Sequence, residues 1–423
     1  MGYIPGEVVE DVRSRFDIVE VISSYIDLRK AGKNYVGFCP FHSEKNPSFT
    51  VSPEKQIFYC FGCQNGGNLF SFIMQMENCS FPEAVRFLAQ RSGININPLP
   101  STPAERKARE RREMLLKMYA QAQKYYQECL WKTAGGKEAL NYLFKRGLTE
   151  RVILDFGLGY APRNWEGLTA ELRRNGLDLQ LAVQGGLIRE KSSSHRFYDY
   201  FRGRLIFPIG DSSGQVIAFG GRIVGPGEPK YLNTPESLLF NKRRILYGLH
   251  RALPTVRRKK EALLVEGYLD VMTLHQHGVK EAVAPLGTAL TEAQLSLLRG
   301  RVDKVYLVFD ADTGGETATL RGLELFKNEG CQIRVAQLPR GKDPADFVCE
   351  HGGEAFRQEV LLPAGSPTDY RLGVCKKRYN LKEKEGRISY WREARKVIGD
   401  LRGNLEREEY LKKVAGGINV SLE

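Results

Sequence analysis

No apolar run in this chain of 423 residues reaches the ~18 residues that a membrane helix needs. The opening segment, MGYIPGEVVEDVRSRFD, has no basic start followed by an apolar core, so it does not read as a secretory signal. There is no G-x-x-x-x-G-K-[ST] phosphate loop, which excludes a fused P-loop motor. No internal repeat of solenoid length occurs. The 8 cysteines do not read as a disulfide framework and are better taken as thiols or metal ligands, so a cytoplasmic protein with no membrane partner is expected. What is present looks ordinary at first. Hydrophobic residues make up 42% and charged residues 27%, as in a soluble globular protein, and the length suits two to four domains.

The charge is not ordinary. The formal net charge is +13, and it is concentrated. Between His195 and Lys260 there are 13 Lys/Arg against 4 Asp/Glu. Arg202, Arg204, Arg222 and Lys230 stand in apolar, Gly-rich, strand-like text rather than in a charged helix. That placement suits a shaped phosphate-binding surface better than a solvated face.

Residues 1–97 read as one unit, with a helical opening, short β-like runs and two closing helices, the second capped by Ser80 with Pro82 in its first turn. Cys39-Pro-Phe-His42 and Cys60-Phe-Gly-Cys63 are two x2-spaced pairs separated by 17 residues. Each pair fits a tight turn that aims two ligands at one tetrahedral ion. Three thiolates and an imidazole make a closed structural Zn²⁺ site with no open position for catalysis. Phe38, Phe41, Phe49, Phe58, Tyr59 and Phe61 surround these ligands. Some must be core and the rest are available to stack on bases.

The stretch 98–116, with Pro98, Pro100 and Pro103 and then a basic helix-favouring run, reads as a linker. From 117 to 260 the text is mixed α+β, with a hairpin turn at Asp211-Ser212-Ser213-Gly214. From 261 to 346 it alternates. Strands are expected at 262–265, 281–285, 305–309 and 333–338, with helices at 269–277, 291–299 and 317–328, which makes a small parallel sheet. Residues 347–423 read as charged and helical.

Carboxylates cluster in that alternating region: Glu266 and Asp270, Asp310 and Asp312, Asp343 and Asp346. The first two clusters sit where an apolar run stops, the end of a parallel strand at which ligands bind. Like charges gathered there repel, by roughly 3 kcal/mol per pair at ~5 Å and an effective dielectric of ~20. A hard divalent cation removes that cost and prefers oxygen ligands. An acidic metal centre inside a basic protein points to phosphoryl chemistry on nucleic acid.

Glu266-Gly267 followed by Asp310-Ala311-Asp312 with Gly314-Gly315 resembles the TOPRIM fold of topoisomerases, primases and some nucleases. Together with FRGRLIFPI (201–209), IAFGGR (217–222), PKYLNTPES (229–237), LYGL (246–249), VEGYLDV (265–271), LGTALT (286–291) and the Cys-His-Cys-Cys finger, the text resembles bacterial DNA primase over about residues 1–350. The resemblance implies a multidomain α/β architecture. A zinc ribbon comes first, then a basic mixed α+β subdomain, a TOPRIM subdomain and a helical C-terminal subdomain. It implies an RNA polymerase that builds short primers from rNTPs on single-stranded DNA in the replisome, leaving an RNA–DNA hybrid. It places Mg²⁺ (or Mn²⁺) on Glu266, Asp310 and Asp312, with Asp270 and Asp343 in support. The third cluster reads Asp343-Pro344-Ala345-Asp346 where primases often have Asp-Pro-Asp, so either residue fills the last acidic role. Template and nucleotide contacts fall on Arg146, Arg202, Arg204, Arg222, Lys230 and Lys242. Bacterial primases usually carry a further helical domain that docks on the replicative helicase, and here that domain is expected to be missing. The competing readings are a topoisomerase or TOPRIM nuclease that cleaves DNA, and a non-enzymatic zinc-finger module.

Overall fold

The structure, a computed structural model, describes residues 4–418 apart from 5, 43, 45, 78, 93, 95–102, 192, 288–289, 311–312, 327–330, 340 and 402. The chain divides into two compact units, residues 1–113 and 114–423.

In the first unit, helices Gly6–Ser14 and Ile18–Ser23 precede an antiparallel meander of β1 (Arg29–Ala31), β2 (Asn34–Gly37), β3 (Phe49–Ser52), β4 (Ile57–Cys60) and β5 (Gly66–Asn68). The period-2 alternation of strands puts Phe49 and Val51 of β3 and Phe58 and Cys60 of β4 inside, leaving Ile57 and Tyr59 outside. Phe49 stacks on Phe58 at 5.1 Å, and Phe72 from helix Leu69–Met76 meets both edge-on. Helix Phe81–Arg91 closes the unit behind the capping box at Ser80, where Glu83 accepts from the Ser80 N–H at 2.8 Å and its hydroxyl at 2.7 Å. Of the six rings around the cysteines, Phe49 and Phe58 are core, while Phe38, Tyr59 and Phe61 are exposed.

Pro98 and Pro100 lie outside the described residues, and Pro103 opens the helix Pro103–Lys132, where a missing N–H has no partner to lose. In the second unit this helix buries Leu115, Met118, Tyr119, Ala122, Tyr126 and Leu130, a stripe at three- and four-residue spacing. Tyr119 and Tyr126 pack on Phe219 of an antiparallel sheet. That sheet contains β6 (Gly159–Ala161), β9 (Arg204–Gly210), β10 (Val216–Ile223) and β11 (Tyr231–Asn233), while β7 (Ile188–Lys191) and β8 (Arg196–Asp199) form a separate hairpin. The β9–β10 turn is the expected one. Asp211 Oδ1 accepts from the N–H groups of Ser213 and Gln215, and Gly214 takes φ +88.

The parallel sheet follows, with β12 (Glu261–Leu264), β13 (Ala282–Val283), β14 (Lys304–Leu307) and β15 (Gln332–Val335) in the order β13-β12-β14-β15. Its interior positions are buried on both faces, hence the uninterrupted apolar text. The expected helix at 291–299 is shorter, Glu292–Leu295; a capping box between Thr291 and Gln294 opens it, and turns follow to Gly300, which takes φ +70. Glu281, fully buried beside β13, is held by Lys259 at 2.9 Å and Arg357 at 2.6 Å.

The charged C-terminal text is two structures rather than one. Helix Pro344–Ala355, continued by the π-helical turn Phe356–Leu361, joins the core beside helix Tyr268–Gln276 through Phe347, Val348 and Phe356. Helices Pro367–Lys377, Lys384–Gly399 and Asn404–Gly417 have their own core, including Leu372, Tyr390, Ala394, Ile398 and Val414. Among the described residues no helix is long and apolar enough to cross a membrane.

Candidate metal centres and their basic surround

The two cysteine pairs converge as the spacing requires. Ligand atoms of Cys39, His42, Cys60 and Cys63 all lie within 4.8 Å of one another. Metal–sulfur bonds of ~2.3 Å at a tetrahedral angle set ligand–ligand edges of roughly 3.8 Å. The Cys39–Cys63 Sγ separation and the Cys60 Sγ–His42 Nδ1 separation are both 3.8 Å. The residues therefore fit a structural Zn²⁺. Burial pushes the Cys39 thiol up to about 12, whereas at Cys60 the Ser48 hydroxyl and the Cys63 and Gly62 N–H groups overcome burial and hold the thiol at about 7. Neighbouring thiols driven apart in this way need a cation in order to ionise together.

Glu44 carries no sequence signal of its own, yet it organises the finger. Its Oε1 accepts from the N–H groups of Cys39 at 2.7 Å and Ser48 at 3.1 Å. Its Oε2 takes the Ser48 hydroxyl and lies 3.4 Å from His42 Nε2. A carboxylate on the far nitrogen of a ligating histidine fixes the ring and its tautomer. Gly62 cannot be replaced here, since a Cβ would stand 2.5 Å from His42 Nε2.

In the second unit, Glu266 and Asp310 follow β12 and β14, adjacent parallel strands, and the Asp310 N–H donates to Glu266 Oε1 at 3.0 Å. Gly315 in the next helix presses on both. A Cβ there would lie 2.1 Å from the Asp310 carbonyl oxygen and 2.9 Å from Glu266 Oε1. Asp270 is buried one helical turn beyond Glu266, its Oδ2 accepting the Gly267 N–H at 2.9 Å. Burial, then Asp343 and Asp310, then Glu266 push its carboxyl well above the usual range, against that one hydrogen bond. Asp343 caps helix Pro344–Ala355, accepting the Asp346 N–H at 2.6 Å. Four of the expected acids thus share one site of hard oxygen donors under mutual repulsion, a donor set that fits Mg²⁺. Asp312 lies outside the described residues.

The expected cations divide. Arg146 joins the acids, at 3.3 Å from Asp343 and 3.7 Å from Asp346. Burial works against its charge, but Tyr142, Asp343, Asp346 and Asp270 raise its pKa. The Arg222 guanidinium lies 4.5 Å over the Tyr142 ring and donates to the Tyr231 hydroxyl at 2.9 Å, so an aromatic pair links β10 to the acidic site. Arg202 sits instead on Trp165 at 4.3 Å and Tyr198 at 5.4 Å. Arg204 is buried. Its Nη1 donates to the carbonyls of Gly221 at 3.3 Å and Lys230 at 3.4 Å, so it braces the strand end bearing Lys230 rather than facing solvent. Lys230 itself is exposed, and Lys242 opens the short 3-10 turn Lys242–Arg244. Asn233 was visible only as part of the PKYLNTPES text. It accepts from the Tyr268 hydroxyl at 2.7 Å and donates to the Leu286 carbonyl at 3.0 Å, tying β11 to the parallel sheet.

The chain is 40% identical over 420 residues to a DNA primase of Halalkalibacterium halodurans, covering 99% of this chain and 70% of that protein. The chain belongs to the bacterial DNA primase family. Four family models match in succession: a CHC2 zinc finger over 4–102, the N-terminal domain of the DNA primase catalytic core over 125–253, a Toprim-like segment over 263–348, and the DnaB-helicase binding domain of primase over 368–423. Among solved structures, the zinc-binding and RNA polymerase domains of the Aquifex aeolicus primase match with TM-score 0.61 and 34% identity, covering 98% of this chain and 97% of that one. A primase catalytic domain bound to single-stranded DNA matches with TM-score 0.60 and 33% identity, over 74% and 98% of the two chains.

Membership of the family establishes the activity, which is synthesis of short RNA primers by metal-dependent nucleotidyl transfer from rNTPs on a DNA template. The zinc is structural and the Toprim segment binds divalent metal. One expectation is overturned. The helicase-binding domain is not missing, since its family model matches 368–423, the region of the last three helices. Its charged surface and small core had read as a continuation of the preceding helical text.

Proposed function

We propose that Glu266, Asp310 and Asp312 hold the catalytic magnesium ions of this primase, with Asp270 and Asp343 completing the acidic wall. The observation that carries the assignment is the Asp310 N–H donated to Glu266 Oε1, which sets two carboxylates at neighbouring strand ends. Bound there, divalent cations supply the charge that stabilises an attacking 3′-hydroxyl and a leaving pyrophosphate. The protein's own groups do the rest. Arg222 and Lys230 neutralise triphosphate oxygens that the acids alone would repel. Arg146, held by Asp343 and Asp346, sets the position of the third acidic segment. Arg204 acts by bracing Lys230, and Arg202 with Trp165 and Lys242 serves the template and the primer hybrid. In this reading the template is single-stranded DNA, and the helices within 368–423 engage the replicative helicase of a bacterial replisome.

Asp310→Ala is expected to abolish RNA synthesis from labelled rNTPs on single-stranded DNA while leaving DNA binding mostly intact. Normal incorporation by that variant would remove Asp310 from the metal site. Lys230→Ala is expected to lower the salt dependence of template or nucleotide binding by about one unit of slope. An unchanged slope would count against the basic surface.

A further inference from the structure

Gln294 is 0% exposed, yet its amide is fully engaged. It belongs to the single helical turn Glu292–Leu295, in the chain that follows β13 at the edge of the parallel sheet. Its Oε1 accepts the Thr291 N–H at 3.0 Å. Its Nε2 directs both hydrogens away from its own element, donating to the carbonyls of Lys242 at 3.0 Å and Ile245 at 2.9 Å. Thr291 Oγ1 donates to the carbonyl of Arg243, between those two, at 2.6 Å.

The turn so held, Lys242–Arg244, is three consecutive cations. Arg243 and Arg244 are exposed and Lys242 is half-buried. Among the described residues no carboxylate oxygen lies within 4.0 Å of any of the three heads. Like charges in one turn repel, and a single 3-10 turn has little stability of its own. Its backbone has to be fixed from outside. The Lys242 N–H donates to Glu236 Oε1 at 3.1 Å, the Arg243 N–H to Asn241 Oδ1 at 3.0 Å, and the Arg244 N–H to the Asn241 carbonyl at 2.9 Å. Gln294 and Thr291 take the carbonyl side.

Occupying those carbonyls has a second effect. An open carbonyl attracts the cation beside it, since a charge-assisted hydrogen bond is stronger than a neutral one. That happens elsewhere in this chain. Arg387 Nη1 folds onto the carbonyls of Leu381 at 3.3 Å and Lys382 at 3.1 Å, and Arg407 Nη2 onto that of Gly399 at 3.2 Å. At 242–245 neutral donors already fill the carbonyls, which leaves the cationic heads to solvent and to anions. The same stretch also fixes register. Ala284 and Tyr247 exchange backbone bonds at 2.7 and 3.2 Å, and the Leu286 carbonyl accepts from Asn233 of β11. β13 lies beside β12, which Glu266 follows, so the chain from 284 to 294 ties the basic turn to the sheet that carries the acids.

We propose that Gln294, with Thr291, is a positioning residue for primer synthesis, holding the Lys242–Arg244 turn so that its three cations engage phosphates of the template strand in register with the acidic site. This rests on the reading that Lys242 serves the template. Gln294 touches no phosphate and acts only through the turn. One amide bonded to carbonyls three residues apart clamps both ends of the turn, and no apolar side chain of that size does so.

The test measures binding of labelled single-stranded DNA and primer synthesis by the zinc-loaded full chain, under conditions where tryptophan fluorescence shows each variant folded. Gln294→Met, which keeps the length and removes the donors, should raise the Kd and the KM for template by about three- to tenfold. The kcat at saturating template should stay within about twofold of the parent, because no interaction with the reacting atoms is lost. Thr291→Val should act in the same direction, and Thr291→Ser, which keeps the hydroxyl, should restore parent values. If Gln294→Met does not fold, the Thr291 pair carries the test. In a chain with Lys242, Arg243 and Arg244 all changed to Ala, Gln294→Met should add less than about twofold to Kd. Parent-like binding by that triple variant would overturn the reading of the turn and this proposal with it. A weakened triple variant beside parent-like Gln294→Met and Thr291→Val would overturn this proposal alone. So would a full additional loss in the triple background, a fall in kcat at unchanged KM, or Thr291→Ser as impaired as Thr291→Val.

Discussion

Replacing Asp270 by Asn should stabilise the magnesium-free protein while damaging its activity. The carboxyl is buried and its pKa is raised by burial first, then by Asp343, Asp310 and Glu266, with only the Gly267 N–H opposing. One like charge at ~6 Å and an effective dielectric of ~20 costs about 3 kcal/mol. Asn keeps the volume and an oxygen for the Gly267 N–H but cannot ionise. A carboxyl whose folded pKa is raised holds a proton that the unfolded chain releases above about pH 4. The unfolded state then binds fewer protons, and stability falls as pH rises towards the folded pKa. The parent and Asp270→Asn should therefore have similar stability near pH ~4 and diverge above it, the variant gaining about 1–3 kcal/mol by pH ~8. Magnesium, which offsets the repulsion in the parent, should shrink the gap. Tryptophan fluorescence in urea is the assay, because Trp131, Trp165 and Trp391 all lie in the second unit. A variant less stable than the parent at every pH, with a gap that magnesium leaves alone, would show that the acids are not strained against one another.

Gly315→Ala should cost about 1–3 kcal/mol by overpacking, and primer synthesis should need more magnesium, because its Cβ would displace the Asp310 backbone and Glu266 Oε1. A magnesium titration matching the parent's would refute this. Chelating the zinc removes on the order of 10 kcal/mol from a small metal-bound domain. It should unfold the first unit, seen by far-UV dichroism and proteolysis, without moving the tryptophan signal of the second. Glu44→Gln should retain zinc but release it about ten- to a hundredfold faster to a colorimetric chelator, through loss of the histidine's carboxylate partner. Glu281→Ala should destabilise the second unit by about 3 kcal/mol in urea. That is the low end for breaking a buried ion pair, because Lys259 and Arg357 are partly exposed and can rehydrate.

What could be read in the sequence follows from which forces act locally. A strand buried on both faces has to be apolar throughout, so β12 and β14 were visible as runs, and a carboxylate at the end of each was conspicuous. Zinc ligands are legible for a similar reason, because a tight turn holds each pair at fixed spacing. Glu44, Tyr142, Tyr231 and Asn233 acquire their roles only through partners in the folded unit, from the Cys39 N–H at five residues' remove to the Leu286 carbonyl more distant in sequence.

Arg204 shows how a residue type misleads when its environment is still unknown. In sequence it shares the spacing of Arg202, and an alternating strand would send both side chains to one face. Arg202 lies just before β9, however, and is free to pack on Trp165, whereas Arg204 is inside the strand, beneath the β10–β11 connection. A buried guanidinium bonded to two carbonyls holds the backbone against which Lys230 is presented. Arg204→Lys, which keeps the charge but ends one bond short of the Nη1 that donates to both carbonyls, should therefore weaken template or nucleotide binding through Lys230. In the Lys230→Ala background it should have little further effect. A residue contacting phosphate directly would instead give additive losses in the double variant.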